Sequence, residues 1–406
     1  MSRFVALRYR DFRLLWVGCL ISWTGGEMST IALSWMLYQM TGSALALGTL
    51  GLMRAIPTLA LTLIGGSIAD QRDRKQIMLI AQILLTIIAG VVLITSLTNT
   101  LTPAIIYASV FLEHIVLAFV RPARQSLIPQ LVPDHHFSHA VQLTSTMWQT
   151  TVLLGPALGG FIMSYYGTRP LLVANVVSFI PFIISLLLMS PSLPLTRQVH
   201  TENYKKVISD GLKYVLSKRI IITTMLLDFF VTFFAMAKTL FPIYADQILH
   251  VGASGLGMLY SSVAVGGITA GILTNPSWLE GRQGRVLVWS VVIIGVATII
   301  FALSPIFILS CLALVVLGAA DFISMNIRML IRQLSTPDYL RGRVAGIHVI
   351  FGAGGPMLGE VEAGILATLI GTQFSVFLGG VLAIASVIIV TKIVPEIRTY
   401  SHRASG

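Results

Sequence analysis

Long apolar runs recur along the whole chain, and they constrain its fold more than any other feature. The run "LVWSVVIIGVATIIFAL" at 287–303 is one example. Such runs exceed the roughly 10–14 residues of a buried core helix. In hydrocarbon the backbone must satisfy its own hydrogen bonds, and a run without in/out alternation does so as an α-helix. Because only 11% of the 406 residues are charged, against about 25% in soluble proteins, we predict an all-α integral membrane protein.

We predict twelve transmembrane helices, separated for the most part by short loops. Their predicted bounds are residues 14–40, 44–69, 76–97, 102–122, 140–165, 170–190, 220–245, 253–275, 285–303, 306–327, 344–370 and 373–394. The longest hydrophilic stretch includes "NYKKVISDGLKYVLSKR", which has the pattern of an amphipathic helix on the cytoplasmic membrane surface. The predicted domains are therefore an N-terminal six-helix bundle at 1–190, a linker at 191–219 and a C-terminal six-helix bundle at 220–406.

The lysines and arginines are distributed unevenly about these helices. All but three of the 27 basic residues fall on one side of the membrane, in loops, in termini or at the adjoining ends of the predicted spans. The exceptions are Arg54 and Lys238 within spans and Arg169 on the opposite side. Basic loops mark the cytoplasmic side, so we predict a multi-pass protein with both termini in the cytoplasm. The net charge of +11 follows from this topology and gives no reason to expect a nucleic-acid partner.

The two halves of the chain repeat short sequence patterns in the same order. "GPALGG" at 155–160 matches "GPMLGE" at 355–360, "LGTL" at 47–50 matches "LGML" at 256–259, and "VPD" at 132–134 matches "TPD" at 336–338. Repeats of this kind are typical of transporters whose substrate site lies between two related halves. We therefore predict two pseudo-symmetric six-helix bundles, with Glu360 standing where the first half has Gly160.

The segment "GGSIADQRDRKQIML" at 65–79 resembles the loop 2–3 signature of the major facilitator superfamily. The matching residues are Gly66, Asp70, Arg74 and Lys75, whereas Gln71 and Asp73 depart from the usual arginine and glycine. The resemblance implies the major facilitator fold and a cytoplasmic gating role for the four matching residues.

A longer resemblance covers nearly the whole chain. The stretches "YQMTGSALALGTLGLMRAIPTLALTLIGGSIAD", "RPARQSLIPQLVP" and "LRGRVAGIHVIFGAGGPMLGEVEAG" are similar to an exporter branch of that superfamily, which includes the enterobactin exporter and related drug-efflux proteins. This branch implies proton-driven export of siderophores or amphipathic drugs across the bacterial inner membrane.

Six acidic residues fall within the predicted spans. They are Glu27, Glu113, Asp228, Asp321, Glu360 and Glu362. A charge near the bilayer centre costs at least about 2.5–3.5 kcal/mol, so these groups should face a cavity, a partner or the bundle interior. We expect Glu27, Glu113, Asp228, Glu360 and Glu362 to take part in proton coupling. For Asp321 we expect a structural role, facing Asp228 or paired with Arg328.

Arg54 and Glu360 lie at similar predicted depths on two helices that the fold would make neighbours. We expect Arg54 to pair with one of Glu360 and Glu362, because residues two apart on a helix point in different directions. We favour Glu360, since the equivalent Gly160 marks that position as inward-facing. The pair could be a static salt bridge that locks the two halves. Alternatively, protonation of the carboxylate, or binding of an anionic substrate to Arg54, could break it.

The expected substrate-binding residues are polar or aromatic. Four of them lie on spans 1 and 7, which the resemblance implies line a central cavity, and the fifth lies on span 2, which it implies is at the interface between the halves. The five residues are Arg54, Glu27, Asp228, Trp23 and Phe230. Ordinary alternatives remain for each: a buried hydrogen bond for the carboxylates, and helix packing or lipid contact for the aromatic rings.

We expect a proton-coupled secondary active exporter of a small amphipathic or anionic metabolite, with a siderophore as the leading substrate. The alternative is an efflux antiporter for macrolide-like or amphipathic drugs; a lipid-handling facilitator, a transport-dead sensor and an uptake carrier are further options. The chain has no G-x-x-x-x-G-K-[ST] nucleotide motif, so we expect neither an enzyme nor an ATPase. We also expect no cofactor and no metal. The expected partners are protons, a small molecule and the lipid bilayer, and the expected state is a monomer.

Overall fold

A computed structural model describes residues 5–190, 212–235, 238–274, 281–337 and 340–401. Throughout these residues the regular secondary structure is helical. The long helices are α1 (Arg10–Thr41), α2 (Ala44–Gln71), α3 (Arg74–Leu97), α4 (Pro103–Leu131), α5 (Asp134–Tyr166), α6 (Arg169–Leu188), α7 (Arg219–Phe234), α8 (Gly252–Leu273), α9 (Gln283–Leu303), α10 (Phe307–Leu334), α11 (Arg341–Ile370) and α12 (Thr372–Ile393). Short helical segments lie at Val5–Arg8, Lys238–Leu240, Phe241–Ile243, Tyr244–Ile248 and Glu396–Thr399.

Ten spans within the described residues are long and apolar enough to cross a membrane. They comprise α2 to α4, α6, α8 to α12, and α7 together with the short segments that follow it. Helices α1 and α5 are long enough but fall outside this set, because their many glycine, serine, threonine and other polar residues lower the mean hydropathy. The all-helical, multi-pass architecture is confirmed, and ten of the twelve predicted spans are supported by length and composition.

The chain divides into two compact units. Unit 1 comprises Met1–Gly42, Met53–Val199 and Ala253–Ser261, and unit 2 comprises Ser43–Leu52, His200–Gly252 and Ser262–Gly406. In unit 1, α1 packs against α4, α5 and α6, and α3 packs against α4 and α6. In unit 2, α7 packs against α10, α11 and α12, and α9 packs against α10 and α12. The same packing scheme therefore occurs twice, six helices apart.

Unit 1 contains a close approach between two helix backbones. Gly160 of α5 lies against Gly257 at the start of α8, and a Cβ atom added to either glycine would clash with the backbone of the other. The motif "GPALGG" thus supplies small residues that let the two helices meet.

Unit 2 contains the matching contact between the start of α2 and α11. A Cβ atom added to Gly48 would stand 2.9 Å from the Cα of Gly364. One turn further along α2, a Cβ on Gly51 would stand 2.6 Å from the Cβ of Glu360. Glu360 therefore lies on the face of α11 that packs against α2, which agrees with its predicted correspondence to Gly160.

The helix bounds differ from the predicted ones in two places. Span 7 was predicted at 220–245; in the structure α7 ends at Phe234 and short helical segments follow from Lys238, and together they form one span long and apolar enough to cross a membrane. Helices α4 and α10 continue past the predicted span ends, to Leu131 and Leu334, so Arg124, Arg328 and Arg332 lie inside helices and not in cytoplasmic loops.

The predicted amphipathic linker helix falls partly outside the described residues. Residues 212–217 are helical, and Val215 is buried with Ile221 and Met225 of α7 in unit 2. Tyr214 donates a hydrogen bond from Oη to the backbone carbonyl of Ser335, at 3.1 Å. The end of the linker is therefore attached to unit 2. The predicted domain boundaries at 190 and 220 stay predictions.

Candidate functional site

Unit 2 contains a buried group of ionisable side chains, which we call the C-terminal ionic cluster: Asp228, Asp321, Arg328, Arg332 and His348. Asp228 of α7 is at its centre and is only 7% exposed. Its Oδ1 lies 3.0 Å from Arg328 Nη2, and its Oδ2 lies 3.6 Å from Arg332 Nη1 and 3.3 Å from His348 Nε2. One carboxylate thus connects α7 to α10 and α11.

Helical spacing places the α10 members of the cluster on one face. Asp321, Ser324, Arg328 and Arg332 are separated by three, four and four residues, the spacing of side chains that stack along a helix. Arg328 donates from Nη1 to Ser324 Oγ at 2.9 Å, and its Nη2 lies 4.0 Å from Asp321 Oδ1. Asp321 was expected to face Asp228 or pair with Arg328, and the structure gives it the ionic contact with Arg328.

The cluster contains two arginines in surroundings where an unpaired charge is costly. Arg328 is 1% exposed and Arg332 is 8% exposed. Removing an ion from water costs several kcal/mol unless a partner compensates for it. Asp228 is the carboxylate nearest to both guanidinium groups among the described residues, so the burial of both arginines depends on this side chain.

His348 Nε2 lies between a group that only donates and a group that only accepts. It is 3.0 Å from Arg332 Nη2 and 3.3 Å from Asp228 Oδ2. Without a proton, Nε2 can accept from the guanidinium; with a proton, it can donate to the carboxylate. The position of one proton therefore decides which of the two neighbours His348 binds. Gly352, one turn along α11, leaves space beside the imidazole, since a Cβ there would stand 3.3 Å from His348 Cε1.

Unit 1 contains a second group, which we call the N-terminal charged cluster: Glu27, Arg54, Glu113, Arg121 and Arg124. Arg54 and Glu27 both lie close enough to act electrostatically on Glu113, and Glu27 acts in the same way on Arg121. Gly155 of α5 packs directly against the Cβ of Glu27. Two predicted coupling residues, Glu27 and Glu113, are thus brought together with the predicted substrate residue Arg54.

Aromatic rings adjoin both clusters. In unit 1 the Arg124 guanidinium carbon lies 4.1 Å from the ring centroid of Trp23, and Trp23 meets Trp148 edge to face at 5.3 Å. In unit 2 Phe230 stacks on Phe234 at 6.1 Å and meets Phe229 edge to face at 5.6 Å. Trp23 and Phe230, both predicted to bind substrate, are partly buried within their own units.

The remaining predicted site residues lie apart from the C-terminal ionic cluster. Glu362 is half-buried on α11, and in the described part of the chain it makes no ion pair. The predicted Arg54–Glu360 pair joins residues of two different units and stays a prediction. His114, next to Glu113, has its Nδ1 3.0 Å from the carbonyl of Val110 in the same helix.

The predicted gate residues lie around the turn between α2 and α3. Asp73, one of the two departures from the superfamily signature, caps α3: its Oδ1 accepts from the backbone N–H of Lys75 at 2.8 Å and of Gln76 at 3.3 Å. Lys75 donates from Nζ to the carbonyl of Met189 at 2.6 Å, which attaches this turn to the end of α6. Arg74 begins α3, and Gly66 and Asp70 belong to α2.

Sequence reasoning did not identify Arg328, Arg332 and His348 as site residues. The two arginines were assigned to a loop because the apolar run of α10 weakens after residue 327. A signal for all three was present: the spacing of four residues between the arginines, and a histidine inside a predicted span. An ionisable residue within a membrane helix is by itself a functional-site hypothesis.

Comparisons with known proteins identify relatives along the full length. The family described as transmembrane secretion effector matches residues 1–405. The multidrug efflux pump Tap of Mycolicibacterium fortuitum is 24% identical, covering 95% of this chain and 96% of that protein. Macrolide efflux protein A of Streptococcus pyogenes is 22% identical, covering 96% and 98%. The enterobactin exporter EntS of Citrobacter koseri is 24% identical, covering 88% and 85%.

A solved structure has the same fold. A bacterial homologue of the human lysosomal transporter Spinster superposes with a TM-score of 0.72 at 14% sequence identity, covering 96% of this chain and 98% of that one. At this identity the likeness concerns the fold alone. The clusters described above therefore have to be interpreted from the side chains of this chain.

Proposed function

Because this chain belongs to the major facilitator superfamily, in the family of transmembrane secretion effectors, we propose that it is a proton-coupled exporter of a small anionic, amphipathic metabolite. A siderophore is the leading substrate. Members of the superfamily are transporters and not enzymes, so the energy for export has to come from an ion gradient. The basic loops favour a bacterial inner-membrane protein with both termini in the cytoplasm.

The observation that carries the coupling proposal is the contact of His348 Nε2 with Arg332 and Asp228. In the unprotonated state His348 accepts from Arg332, which leaves Asp228 to compensate the two arginines. When a proton from outside reaches His348, the imidazolium donates to Asp228 and repels Arg332. The two states differ in how α10 is held to α7 and α11, so proton binding favours one arrangement of these helices over the other.

Access of protons to this cluster is supported by its partial exposure. The His348 side chain is 28% exposed, whereas Asp228 and Arg328 are almost fully buried. Protons can therefore reach the imidazole first, and Asp228 responds through its contact with it. The cluster refines the predicted coupling set, since it gives Asp228 a proton-carrying neighbour that the sequence reasoning had not named.

The carboxylates of unit 1 have a complementary role in this proposal. Glu27 and Glu113 lie within electrostatic reach of each other, and Arg54 acts on the same group. Two neighbouring carboxylates favour sharing of a proton, because the negative charge of one makes ionisation of the other less favourable. The predicted contributions of Glu360 and Glu362 to coupling belong to the same proposal.

Multidrug efflux is the second candidate function. It is supported by the length of the matches: the relatives Tap and macrolide efflux protein A cover 95% and 96% of this chain, compared with 88% for the enterobactin exporter. The two candidates share the coupling mechanism and differ in substrate. A direct comparison of substrates therefore separates them.

The test uses everted membrane vesicles that contain the full-length protein, with an imposed inside-acid pH gradient. Uptake of radiolabelled enterobactin, representing siderophores, is compared with uptake of radiolabelled erythromycin, representing macrolides. We expect gradient-dependent uptake of enterobactin that collapses with a protonophore. Preferential uptake of erythromycin would establish the drug-efflux alternative.

Variants of the C-terminal ionic cluster test the coupling step. We expect His348→Gln and Asp228→Asn to reduce uptake to the level measured without a gradient. His250→Asn is the matched control, because His250 is exposed, lies outside both clusters and has a left-handed backbone that asparagine also adopts (φ 52°). Wild-type gradient dependence in both cluster variants would contradict the coupling proposal.

A further inference from the structure

Arg124 of α4 carries buried hydrogen-bond donors that have no acceptor. Its Nε and Nη1 are both buried, and within the described residues neither meets a hydrogen-bond partner. The charged and titratable groups that act on it are the Cys19 thiol and the cation of Arg121. Arg124 thus has two donor nitrogens without an acceptor, and buried polar groups of this kind normally have a partner.

The ring beneath Arg124 determines which ligand could supply that partner. The guanidinium lies over Trp23 at 4.1 Å, so one of its two faces is already covered by a cation–π contact. Its remaining donors lie in the guanidinium plane, where they match the two oxygens of a carboxylate or a similar planar anion. The donors of Arg124 that have no acceptor could therefore bind an anion that approaches the edge of the guanidinium group.

The neighbouring indole adds an apolar surface to this site. Trp148 of α5 packs edge to face on Trp23 and is 44% exposed. Exposed indole rings bind flat, apolar groups by stacking. A single ligand could therefore bind Arg124 through an anionic group and stack its own aromatic ring on Trp148.

We infer that Arg124, Trp23 and Trp148 form the anion-recognising part of the substrate site, and that the exported substrate is an aromatic anion with its negative group next to a flat ring. This inference rests on the proposed export function and deepens it. It assigns recognition of the substrate's charge to Arg124, whereas the sequence had suggested Arg54.

The test is equilibrium binding to the purified full-length protein in detergent, without any gradient, by scintillation proximity. The probes are tritiated 1-naphthoate and its neutral analogue 1-naphthamide, which has the same ring. We expect wild-type protein to prefer the naphthoate, and Arg124→Gln to weaken naphthoate binding about tenfold to a hundredfold, as expected for loss of a charge-assisted pair. Naphthamide binding should change less than about twofold, because it does not need the positive charge.

Further variants make the result specific. Trp148→Ala should weaken both probes equally, because it removes the stacking surface and leaves the charge. Arg169→Gln is the matched control: Arg169 is exposed, belongs to α6 and donates to Asn99 Oδ1 at 2.6 Å. Equal loss of naphthoate binding in Arg169→Gln and Arg124→Gln, or equal binding of the two probes by wild type, would overturn the inference.

An anionic lipid could offer the same chemistry through its phosphate. Competition with short-chain phosphatidylglycerol separates this source from a substrate. If the lipid displaces tritiated naphthoate at lower concentrations than unlabelled naphthoate does, the site binds lipid and the inference is wrong.

Binding and transport together distinguish failure of this inference from failure of the proposed function. If Arg124→Gln loses anion-selective binding but wild-type vesicles show no gradient-dependent uptake, the export function fails and the anion site stands. If Arg124→Gln vesicles transport enterobactin or erythromycin as wild type does, the inference fails and export stands.

Discussion

The two units hold equivalent arginines in opposite ways. Arg124 of α4 and Arg328 of α10 occupy corresponding places in the sequence repeat, before "VPD" and "TPD" respectively. Arg328 meets the carboxylate of Asp228 on α7 at 3.0 Å, whereas Arg124 lies over the indole of Trp23 on α1. Helices α7 and α10 of unit 2 correspond to α1 and α4 of unit 1. In unit 2 the partner of the arginine is a carboxylate that neutralises it, whereas in unit 1 it is an aromatic ring.

This difference suggests a division of labour between halves that have the same architecture. A compensated cluster with a histidine can respond to a proton, because its internal pairing changes with the protonation state. An uncompensated arginine can recognise an anion, because its donors are still available. Duplication of one helical scaffold would then have allowed each copy to specialise by changes at a few positions.

The largest expected effect concerns the partner of Arg328. Asp228→Ala should lower the free energy of unfolding in detergent by about 3–5 kcal/mol, because it leaves the buried Arg328 without its nearest carboxylate. Thermal and chemical unfolding of the purified protein measure this. The double variant Asp228→Ala/Arg328→Met should recover most of the loss.

The matched change in unit 1 is Arg124→Met, which should leave stability unchanged or raise it. Equal destabilisation by Arg124→Met and Asp228→Ala would show that Arg124 has a compensating partner after all, and would remove the contrast between the units.

A smaller effect is expected where the two units behave alike. Gly160→Val and Gly364→Val should each destabilise the protein by about 1–3 kcal/mol, because each side chain would overlap a neighbouring backbone. Gly90→Ala is the control in α3, since a Cβ there meets nothing within 4 Å. This control should be neutral or stabilising by up to about 1 kcal/mol. Expression level and thermal unfolding measure the effects of all three variants. A loss confined to one unit would show that the repeated close contact matters in only one half.

The smallest effect is a pH dependence expected at the tyrosine–histidine contact of unit 1. Tyr9 Oη lies 2.8 Å from His136 Nδ1, and desolvation together with His135, His139 and Arg8 lowers the pKa of His136. Because the folded pKa is below the unfolded value, the unfolded chain binds more protons as pH falls through about 6.5. Stability contributed by this group is therefore present near pH 7 and is lost on acidification.

The tyrosine contact of unit 2 provides the comparison for that prediction. Tyr214 donates to the carbonyl of Ser335, and no histidine takes part in this bond. The melting temperature should fall between pH 7 and pH 5 in wild type and in Tyr214→Phe, with a smaller fall in His136→Gln. An unchanged pH dependence in His136→Gln would assign it to other groups.

Much of the fold could be predicted from local sequence properties. Apolar run length identified the membrane helices, and the "GPALGG" and "GPMLGE" repeats indicated two related halves before any contact was known. Polar composition made α1 and α5 weaker candidates. The end of α10 was misplaced because hydropathy falls at Arg328, although the helix continues there with its arginines buried against Asp228.

The candidate site was predictable only in part. Asp228, Glu27 and Glu113 were identified because placing a carboxylate in an apolar membrane span costs free energy, and such a residue therefore indicates a functional or paired site. Their partners were not identified. His348 is 120 positions from Asp228 along the chain, and the Arg328 contact depends on the rotation of α10 about its axis, which hydropathy does not report.

The sequence by itself determined that this chain is a helical membrane protein with an internal repeat and with carboxylates inside its spans, because burial in lipid acts on each residue through its own transfer energy. Only the tertiary structure decided which cation compensates which carboxylate, and that Arg124 is left with an indole instead. Such pairings depend on distances of a few ångströms between side chains of different helices, and these distances are set by packing.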